Sequence, residues 1–600
     1  MDVNASLEIT YKPLGNSGKV LLCVRYPDGK TFTDKLEITI KKNREACAKN
    51  ICQGRKGINK GEINSQLEAI AAEIANKDSE KLTGEEKESQ ADKLIMLCDE
   101  AELFHTPGSY EAEVFATVAI NEHKETWPIG SKAFRYWLSQ QYFEEHSKAP
   151  GHQALEDAIA TLKGKALHRG ETITVANRIA FQGNSIYLDL INEDWQVVKI
   201  TPYGWSIVED CPIKFTRKYG QQALPNPVSG GSIDELRPLV NLESEDSWML
   251  FVAWLLAAFR PGYPFPILAV NGEQGSAKSS LCRMARDLID PNKAGLRRPP
   301  LKEHDLMIAS KNGWVLAYDN LSGLRGDMSD ALCTLATGGG FATRELYTDD
   351  EEKLFDAIRP IMINGIEDVA SRSDLIDRCI CLTLPTIPEE NRKEEEELRR
   401  EFEAIRPRIL GALLDCVSFG LRNKDKTKLP IKPRMADFAT WIVAIEPSLN
   451  WPKGMFLRNY MANRTKANVN VLESSIHADS IIDLIQQHGE WEGTAKELLS
   501  LIEDKFSDEA KRRHKDWPKT PRKLSGILRR LAPNLRRQGF IVTFGEHTSK
   551  GNTIRLSRIE TYSDQLPHHS ALEGNEHCEG VLLSNPTSNF TDSEVTVWVA

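Results

Sequence analysis

A short stretch of this chain carries the residue types that bind phosphate. An apolar run ends at Gly272, and Gly275, Lys278 and Ser279 follow it before an apolar-periodic segment begins. Strand, glycine-bearing loop and helix are therefore expected in that order, which is the setting that a phosphate-binding loop requires. The N–H groups of such a loop and the positive end of the helix cradle a triphosphate. We assign ATP binding to Gly272, Glu273, Gln274, Gly275, Ser276, Ala277, Lys278, Ser279 and Ser280.

Two side chains of this loop have distinct expected roles. Lys278 would reach the β- and γ-phosphates, and the Ser279 hydroxyl would bind Mg²⁺. Ala277 departs from the usual motif, which has glycine before the lysine. The predicted cofactors are ATP and Mg²⁺.

An acidic residue with matching spacing follows the loop. The apolar run from Gly313 ends in Asp319 and Asn320, about 40 residues beyond Lys278. A strand that ends in Asp beside a phosphate loop holds Mg²⁺, so Asp319 is the second predicted metal ligand. The alternative is a strand capped by a turn aspartate.

Two further apolar runs complete the pattern. The first runs from Ile358 and ends in Asn364, and the second begins at Cys379, directly after Arg378. An arginine before this strand can reach the γ-phosphate held by a neighbouring subunit and stabilise transition-state charge. Arg378 is the first candidate for this arginine finger and Arg372 the second. A surface or ion-paired arginine remains the alternative for either.

The order of loop, acidic strand, hairpin, Asn strand and arginine resembles the superfamily 3 helicases of the AAA+ class. It is most similar to the helicase part of phage- and plasmid-type primase-helicases, over about residues 240–470. The resemblance implies a homo-hexameric ring and the catalytic residues Lys278, Asp319, Asn364 and Arg378, with Asn364 orienting the attacking water. No primase motif stands out in residues 1–235, so a separate primase is a candidate partner.

Asn320 departs from the pattern of this family. Many AAA+ proteins carry a glutamate after the strand aspartate, and it acts as general base. An asparagine cannot accept a proton, so Asp319 or a more distant acid such as Glu367 or Asp368 would have to assist water. Slow hydrolysis is expected.

A hairpin between the Asp319 and Asn364 strands is the first candidate DNA contact. By resemblance, Arg344 and Lys353 would grip single-stranded DNA in the ring channel, and Tyr347 or Phe341 would stack on bases. Four acids at the predicted tip, residues 349–352, favour a purely structural hairpin instead. Both interpretations stay open.

The second candidate is a strongly basic segment near the C-terminus. Residues 511–558 hold fourteen Lys and Arg and two acids, a charge of +12 in a chain of net charge −10. Phosphate contacts by such side chains raise affinity through counterion release. A recognition helix at 521–537 and a wing tip at 545–551 are predicted to bind duplex DNA, through Arg522, Lys523, Arg529, Arg530, Arg536 and Arg537. An acidic protein partner is the alternative.

The elements that would position these residues indicate a multi-domain α/β protein, as 600 residues suggest. An AAA+ P-loop ATPase core with a helical lid is flanked by an N-terminal α+β region and a C-terminal winged helix. The predicted domains are 1–78, an N-terminal α+β module; 79–90, a linker; 91–235, a second α+β module; 236–390, the ATPase core; 391–470, the helical lid; 471–560, the winged-helix DNA-binding domain; and 561–600, a disordered tail.

Several classes are disfavoured by composition. The longest apolar run has 12 residues, Trp248 to Phe259, whereas a membrane span needs about 20. The eleven cysteines include no CxxC pair, which favours a reducing compartment over a disulfide framework. We therefore expect a cytoplasmic protein without a membrane partner.

Two functions remain. The first is an ATP-dependent DNA helicase of replication-initiation type, from a phage, plasmid or other mobile element, that couples ATP hydrolysis to unwinding. The alternative is an ATP-binding, DNA-bound regulatory or defence switch that oligomerises without translocating. Asn320 and the missing primase chemistry favour the alternative.

Overall fold

Alternating residues at the start of the chain form a three-stranded sheet followed by two helices. The elements are β1 (Glu8–Pro13), β2 (Lys19–Arg25), β3 (Thr31–Glu37), α1 (Lys41–Cys52) and α2 (Lys60–Thr83). The sheet is antiparallel in the order β1-β2-β3. Val20, Leu22 and Val24 point to one face of β2 and are buried in a cluster with both helices. Helix α2 continues to Thr83, into the predicted linker 79–90.

The structure is a computed structural model. It describes residues 7–14, 19–53, 55, 57–83, 88–108, 112–121, 123–321, 323–344, 352–355, 357–366, 372–473, 476–504, 506, 517–548 and 551–558. The predicted tail, 561–600, lies outside these residues. Contacts divide the chain into two units, Met1–Val175 and Ala176–Ala600.

The rest of the first unit is a second small α+β assembly. Its elements are α3 (Gln90–Met96), β4 (Glu102–His105), β5 (Val114–Ile120), β6 (His123–Pro128), α4 (Lys132–His146), α5 (His152–Arg169) and β7 (Glu171–Thr172). The sheet order is β6-β5-β4-β7. Helix α3 ends at Met96 in a turn. Strand β4 follows because Phe104 is buried against Phe115 of β5.

The second unit begins with a region of short strands. They are β8 (Val175–Ala176), β9 (Ile179–Gln182), β10 (Ser185–Asp189), β11 (Val197–Thr201), β12 (Gly204–Val208) and β13 (Lys214–Phe215), of which β8 and β13 pair in a sheet of their own. Strands β9 to β12 pair in sequence order. Ile186, Leu188 and Val198 belong to the large apolar cluster of this unit. Residues 176–235 therefore pack with the second unit, whereas the sequence grouped them with residues 91–175.

The predicted phosphate loop, which follows Gly272, lies in a layered α/β region. Its elements are α6 (Glu245–Ala257), β14 (Ile267–Gly272), α7 (Lys278–Asp287), α8 (Glu303–Asn312), β15 (Leu316–Leu321), α9 (Gly326–Thr337), β16 (Phe341–Arg344), β17 (Glu352–Phe355), β18 (Ile361–Gly365), α10 (Ser373–Ile376) and β19 (Cys379–Leu384). The main sheet is parallel, in the order β15-β18-β14-β19. A parallel bridge from Arg297 to Tyr318 extends it beyond β15.

Both faces of this sheet are covered, which explains its continuous apolar runs. On β14, Leu268 and Val270 enter one apolar cluster, whereas Ile267 and Ala269 enter another. The carboxyl ends of β14, β15 and β18 meet at one edge, where parallel strands commonly present a ligand site.

Helices after the sheet complete this core. They are α11 (Glu395–Asn423), α12 (Ala436–Ile445) and α13 (Met455–Glu473). Gly411 of α11 lies so close to residue Val228 that an added Cβ would be 2.0 Å from its carbonyl oxygen. The Pro- and Gly-rich stretch before residue 233 is thus packed on α11. Helix α6 is buried from Trp248 to Ala257, and no helix in the described part of the chain is long and apolar enough to cross a membrane.

The last elements form a helical and β-sheet region with its own apolar cluster. They are α14 (Ile476–His488), β20 (Glu490–Thr494), α15 (Ala495–Glu503), α16 (Pro521–Arg537), β21 (Phe540–Thr548) and β22 (Gly551–Arg558). The sheet order is β20-β22-β21. Two expectations change. Residues 489–493, expected as a turn, contribute the third strand, and the β21–β22 strands extend almost to the tip that was predicted to span 545–551.

Candidate nucleotide site

The first residue of the loop has room only for glycine. Gly272 ends β14 with φ +154°, and a Cβ there would lie 2.7 Å from both the Leu384 carbonyl oxygen and the Ser276 hydroxyl oxygen. Gly275 also has a positive φ, of +84°. These two positions let the chain turn sharply from β14 into the N-terminus of α7.

Ala277 occupies the position of the missing motif glycine without changing the backbone path. Its φ of 60° and ψ of 28° are left-handed, and it caps the N-terminus of α7. Such a conformation costs a residue with a Cβ roughly 1–2 kcal/mol. The loop therefore keeps its form at a local cost, and the departure in sequence is not a departure in shape.

Lys278 folds back over the loop. Its Nζ donates to the carbonyl oxygens of Gly272 and Glu273, at 2.7 and 2.6 Å, and to Ser276 Oγ at 3.2 Å. Burial lowers the pKa of this ammonium group, while the charge of Asp319 opposes that shift. The ammonium group is held in the concave side of the loop, where phosphate oxygens are better partners than neutral carbonyls.

The two predicted metal ligands are neighbours. Ser279 Oγ donates to Asp319 Oδ1 at 3.0 Å across the gap between α7 and β15. A hydroxyl and a carboxylate are oxygen donors of the kind that Mg²⁺ takes from proteins when nucleotide phosphates and water supply the rest. The donor set at this point fits Mg²⁺.

Asn364 connects the acidic strand to the helix. It is buried at the end of β18. Its Oδ1 accepts from the Asn320 N–H at 3.1 Å, and its Nδ2 donates to Cys282 Sγ at 3.6 Å. Asn320 has a left-handed φ of 58°, a conformation that asparagine tolerates better than most residues. Both asparagines are therefore fixed at the rim of the site.

These residues share one open cavity. Its volume of about 480 Å³ is in the range of small-molecule sites. The lining residues are Gln274, Gly275, Ser276, Ala277, Lys278, Ser279, Ser280, Asp319, Asn320, Asn364, Gly365 and Ile366.

The segment after β19 crosses the loop as a strap, residues 385–392, which the sequence did not point to. Asn241 Nδ2 donates to both the Ser276 and the Pro385 carbonyl oxygens, at 3.1 and 2.6 Å. Thr386 Oγ1 donates to Glu273 Oε2 at 3.0 Å. The strap ends in Arg392, whose Nη2 would lie 3.0 Å from a Cβ added to Gly275. This places a second positive charge beside the phosphate loop.

The two candidate finger residues differ in their contacts. Arg372 is engaged by the carboxylates of Asp330 and Asp374, at 2.9 and 3.2 Å, and by the Gly326 carbonyl. Arg378 is half-buried, and its Nη1 donates to the Asp374 carbonyl at 2.7 Å. The guanidinium of Arg378 also lines a cavity of about 190 Å³.

Arg378 lies at the opposite edge of the sheet from the phosphate loop of its own chain. Its carbonyl oxygen accepts from the N–H of Ile267, the first residue of β14, whereas the loop follows Gly272, the last. Five strand steps separate these ends, roughly 17 Å. An arginine side chain does not span that distance, so any contact of Arg378 with a γ-phosphate requires a second subunit.

The predicted DNA hairpin forms as two paired strands. Arg344 of β16 lies opposite Glu352 of β17, and Thr343 lies opposite Lys353. The side chains of Arg344 and Lys353 lie outside the described part of the structure, as do Tyr347 and the candidate acids Glu367 and Asp368.

Helix α16 has one apolar and one basic face. Thr520 caps it through a hydrogen bond from the Lys523 N–H, and Pro521 occupies its first turn. The buried residues are Leu524, Ile527, Leu528, Leu531, Ala532, Asn534 and Leu535. The exposed face carries Arg522, Lys523, Arg529, Arg530 and Arg536. Residues 511–516, at the start of the basic segment, lie outside the described residues, as do residues 549 and 550.

Arg537, which was predicted as a DNA contact, forms an ion pair with another part of the chain. Its Nη1 and Nη2 donate to the two carboxylate oxygens of Asp377, at 2.8 and 2.9 Å. Burial by itself raises the pKa of the Asp377 carboxyl, but the hydrogen bonds and charge of Arg537 and the charge of Arg464 hold it below its ordinary value. The guanidinium of Arg537 thus forms a bidentate ion pair within the protein, while its side chain remains 42% exposed.

Two segments of the chain match known families. Residues 233–454 match the model of the actinomycete integrative conjugative element replication protein, abbreviated AICE RepA. Residues 477–570 match the model of the AICE RepA C-terminal domain. The first match contains the whole nucleotide site, and the second contains α16 with its basic face. No curated protein sequence matches the chain.

Solved structures resemble the chain at low identity. SCCmec type IV Cch, titled an active helicase, has a TM-score of 0.42 and 12% identity over 77% of this chain and 93% of its own. An A-form apo structure of the NrS-1 C-terminal region has a TM-score of 0.35 and 12% identity, over 77% and 98%. A further apo structure of that region has a TM-score of 0.34 and 14% identity, over 79% and 100%. Scores this low assign no function.

Proposed function

We propose that this protein is an ATP-dependent DNA helicase of replication-initiation type, encoded by a mobile element and built as an AAA+ ring of superfamily 3 type. One observation carries the proposal. The phosphate loop, the Ser279–Asp319 pair and Asn364 line a single cavity, inside the segment that matches a replication protein family. A homo-hexamer is the assembly that we propose.

The chemistry of the proposed reaction follows from the contacts of the site. Lys278 would exchange its loop-carbonyl partners for phosphate oxygens, and Ser279 and Asp319 would hold Mg²⁺. When bound, Mg²⁺ neutralises charge on the phosphates. Asn364 orients the attacking water, and Arg378 stabilises developing charge in the neighbouring subunit's site. The strap and Arg392 close the loop from the side and add positive charge.

Two surfaces are proposed to bind DNA. Arg344 and Lys353 of the β16–β17 hairpin would contact a single strand in the ring channel. The exposed face of α16 would contact duplex DNA, in a domain that we interpret as a winged helix. Arg537 is left out of this set because Asp377 holds it.

Turnover of ATP with and without DNA tests the proposal. Lys278→Ala should lose DNA-stimulated hydrolysis, by 10²-fold or more as an order of magnitude for losing a group that stabilises transition-state charge. Arg283→Ala is the matched control, because Arg283 is exposed on the same helix and pairs with Glu395. Hydrolysis that persists in Lys278→Ala and matches Arg283→Ala would sink the proposal.

Asn320 favours a second candidate, a nucleotide-dependent switch on DNA. Its amide cannot accept a proton from water, so the site would bind ATP and turn it over slowly. Such a protein would oligomerise on DNA without displacing strands. Steady DNA-stimulated turnover without displacement on any forked or tailed substrate would select the switch.

A further inference from the structure

A single buried carboxylate joins the C-terminal region to the residue before the candidate finger. Asp377 follows α10 and directly precedes Arg378, and its side chain is 12% exposed. It receives both Nη atoms of Arg537, the last residue of α16. Arg464 of α13 approaches it at 3.4 Å and Arg434 at 3.8 Å. The single carboxylate of Asp377 thus contacts three arginines that come from separate parts of the chain.

The geometry of this contact couples a movement of α16 to the position of Asp377. A bidentate pair between a guanidinium and a carboxylate fixes distance and orientation together. The Asp377 carboxylate is 12% exposed and the Arg537 side chain 42% exposed, so the pair is shielded from water on the carboxylate side. A displacement of α16 along its axis is therefore resisted by, or passed on to, the backbone at Asp377.

The two ends of this contact belong to different proposed activities. Arg536, on the exposed basic face of α16, directly precedes Arg537, the residue that holds Asp377. On the other side, the Arg378 carbonyl pairs with β14, and its guanidinium rests on the Asp374 carbonyl of α10. Arg434 both pairs with Asp377 and lines the cavity that Arg378 faces.

We propose that Asp377 and Arg537 are positioning residues that couple duplex DNA on α16 to the placement of Arg378. Resting on the proposed function, this makes duplex DNA an activator of hydrolysis in the neighbouring subunit's site. Linkage applies to the binding part of this coupling: if duplex DNA on α16 changes the affinity of that site for nucleotide, nucleotide changes the affinity of α16 for duplex DNA by the same factor, typically about 5–150-fold in coupled systems.

Two adjacent arginines provide the matched test. Arg537→Ala should bind duplex DNA within about threefold of the unaltered protein, since its guanidinium faces Asp377, yet lose about fivefold or more of the stimulation at saturating duplex. Arg536→Ala should bind duplex more weakly, with a salt slope smaller by about 1, and keep full stimulation once saturated. Full stimulation in Arg537→Ala, or a loss of affinity like that of Arg536→Ala, would overturn the coupling.

Conservative variants separate coupling from loss of fold. Arg537→Lys keeps the charge but not the fork, so it should recover only part of the stimulation. Asp377→Asn removes the partner from the other side and should resemble Arg537→Ala. Full recovery by Arg537→Lys would show that charge alone is needed and would contradict the positioning role.

Hydrogen exchange separates this inference from the proposed function. Duplex DNA should change deuterium uptake across residues 373–384 in the unaltered protein and leave it unchanged in Arg537→Ala. If the protein hydrolyses no ATP, the proposed function fails, and the exchange result still decides the coupling. The absence of a DNA-dependent change in the unaltered protein would overturn it.

Discussion

At the scale of single residues, Ala277 is a departure from a motif that the backbone absorbs. Its left-handed conformation is the one that glycine adopts without cost. The sequence alone registered a missing glycine, whereas the structure keeps the same loop shape. The penalty falls on stability rather than on the geometry of the site.

Ala277→Gly is therefore expected to stabilise the fold. Relief of about 1–2 kcal/mol of left-handed strain is offset by about 0.4–1 kcal/mol of added unfolded-chain entropy. The variant should unfold at a higher temperature than the unaltered protein, measured for the thermal transition that shifts upward when ATP is added. Its affinity for ATP should be unchanged. Ala404→Gly, at an exposed position inside α11, should instead cost about 1 kcal/mol. A fall in both variants would contradict the strain account.

Asn320 makes the complementary prediction for turnover. Asn320→Asp supplies a proton acceptor at the same position, and aspartate tolerates the left-handed φ. Turnover at saturating ATP should rise by about tenfold, which is less than the ~10²–10⁴-fold that a fully positioned general base contributes. Asn320→Ala lacks the acceptor and should show no rise. Equal rates for the two variants would mean that the base lies elsewhere.

The site itself was largely predictable at this scale. Gly272, Asp319 and Asn364 lie at or near the carboxyl ends of parallel strands and Lys278 starts a helix, so the fold brings them together. Asn241 and Arg392 were missed because neither belongs to a spaced motif. Their proximity depends on how the strap crosses the loop, which no local pattern encodes.

At the scale of elements, strongly periodic helices were predicted well and short strands were not. Helix α16 has the predicted bounds, Pro521–Arg537, because its cap, proline and apolar stripe agree. Strand β20 was expected as a turn because it follows Gly489 and contains Gly493. Pairing with β22 decides its conformation, and that partner lies about sixty residues away in sequence.

The β16–β17 hairpin and α16 are expected to bind different forms of DNA, so variants of the two elements should affect different binding measurements. Arg344→Ala and Lys353→Ala should each reduce the salt slope for single-stranded DNA by about 0.7, because each removes one phosphate contact. Arg522→Ala, on the exposed face of α16, should reduce the duplex slope by about 0.9 and leave the single-strand slope unchanged. Unaltered single-strand slopes in both hairpin variants would support a structural hairpin.

At the scale of the whole molecule, unit boundaries depend on packing rather than on composition. The Pro- and Gly-rich stretch before residue 233 suggested the end of a module. Its residues instead lie against α11, where Gly411 allows the close approach of Val228. Composition indicates where a chain is able to bend, but contacts between distant residues determine what packs as one unit.

Mixing subunits tests the ring and the finger together. Lys278→Ala and Arg378→Ala should each hydrolyse almost no ATP. For Arg378→Ala, the loss in turnover should approach the ~10³-fold or more that arginine fingers contribute. In a mixed ring, a Lys278→Ala subunit supplies its Arg378 to a neighbour that still binds ATP. The rate of ATP hydrolysis by a mixture should therefore exceed the sum of the rates of the two variants measured alone. Mixed rings that assemble but show no gain would place the catalytic arginine in its own subunit or elsewhere.

Strand displacement on forked DNA is the most direct test of a nucleotide-driven helicase. The unaltered protein should separate the strands with ATP and Mg²⁺, and Lys278→Ala should bind the same fork without separating it. Displacement by Lys278→Ala at the same rate would contradict the account. So would DNA-stimulated hydrolysis by the unaltered protein with no displacement on forks of either polarity.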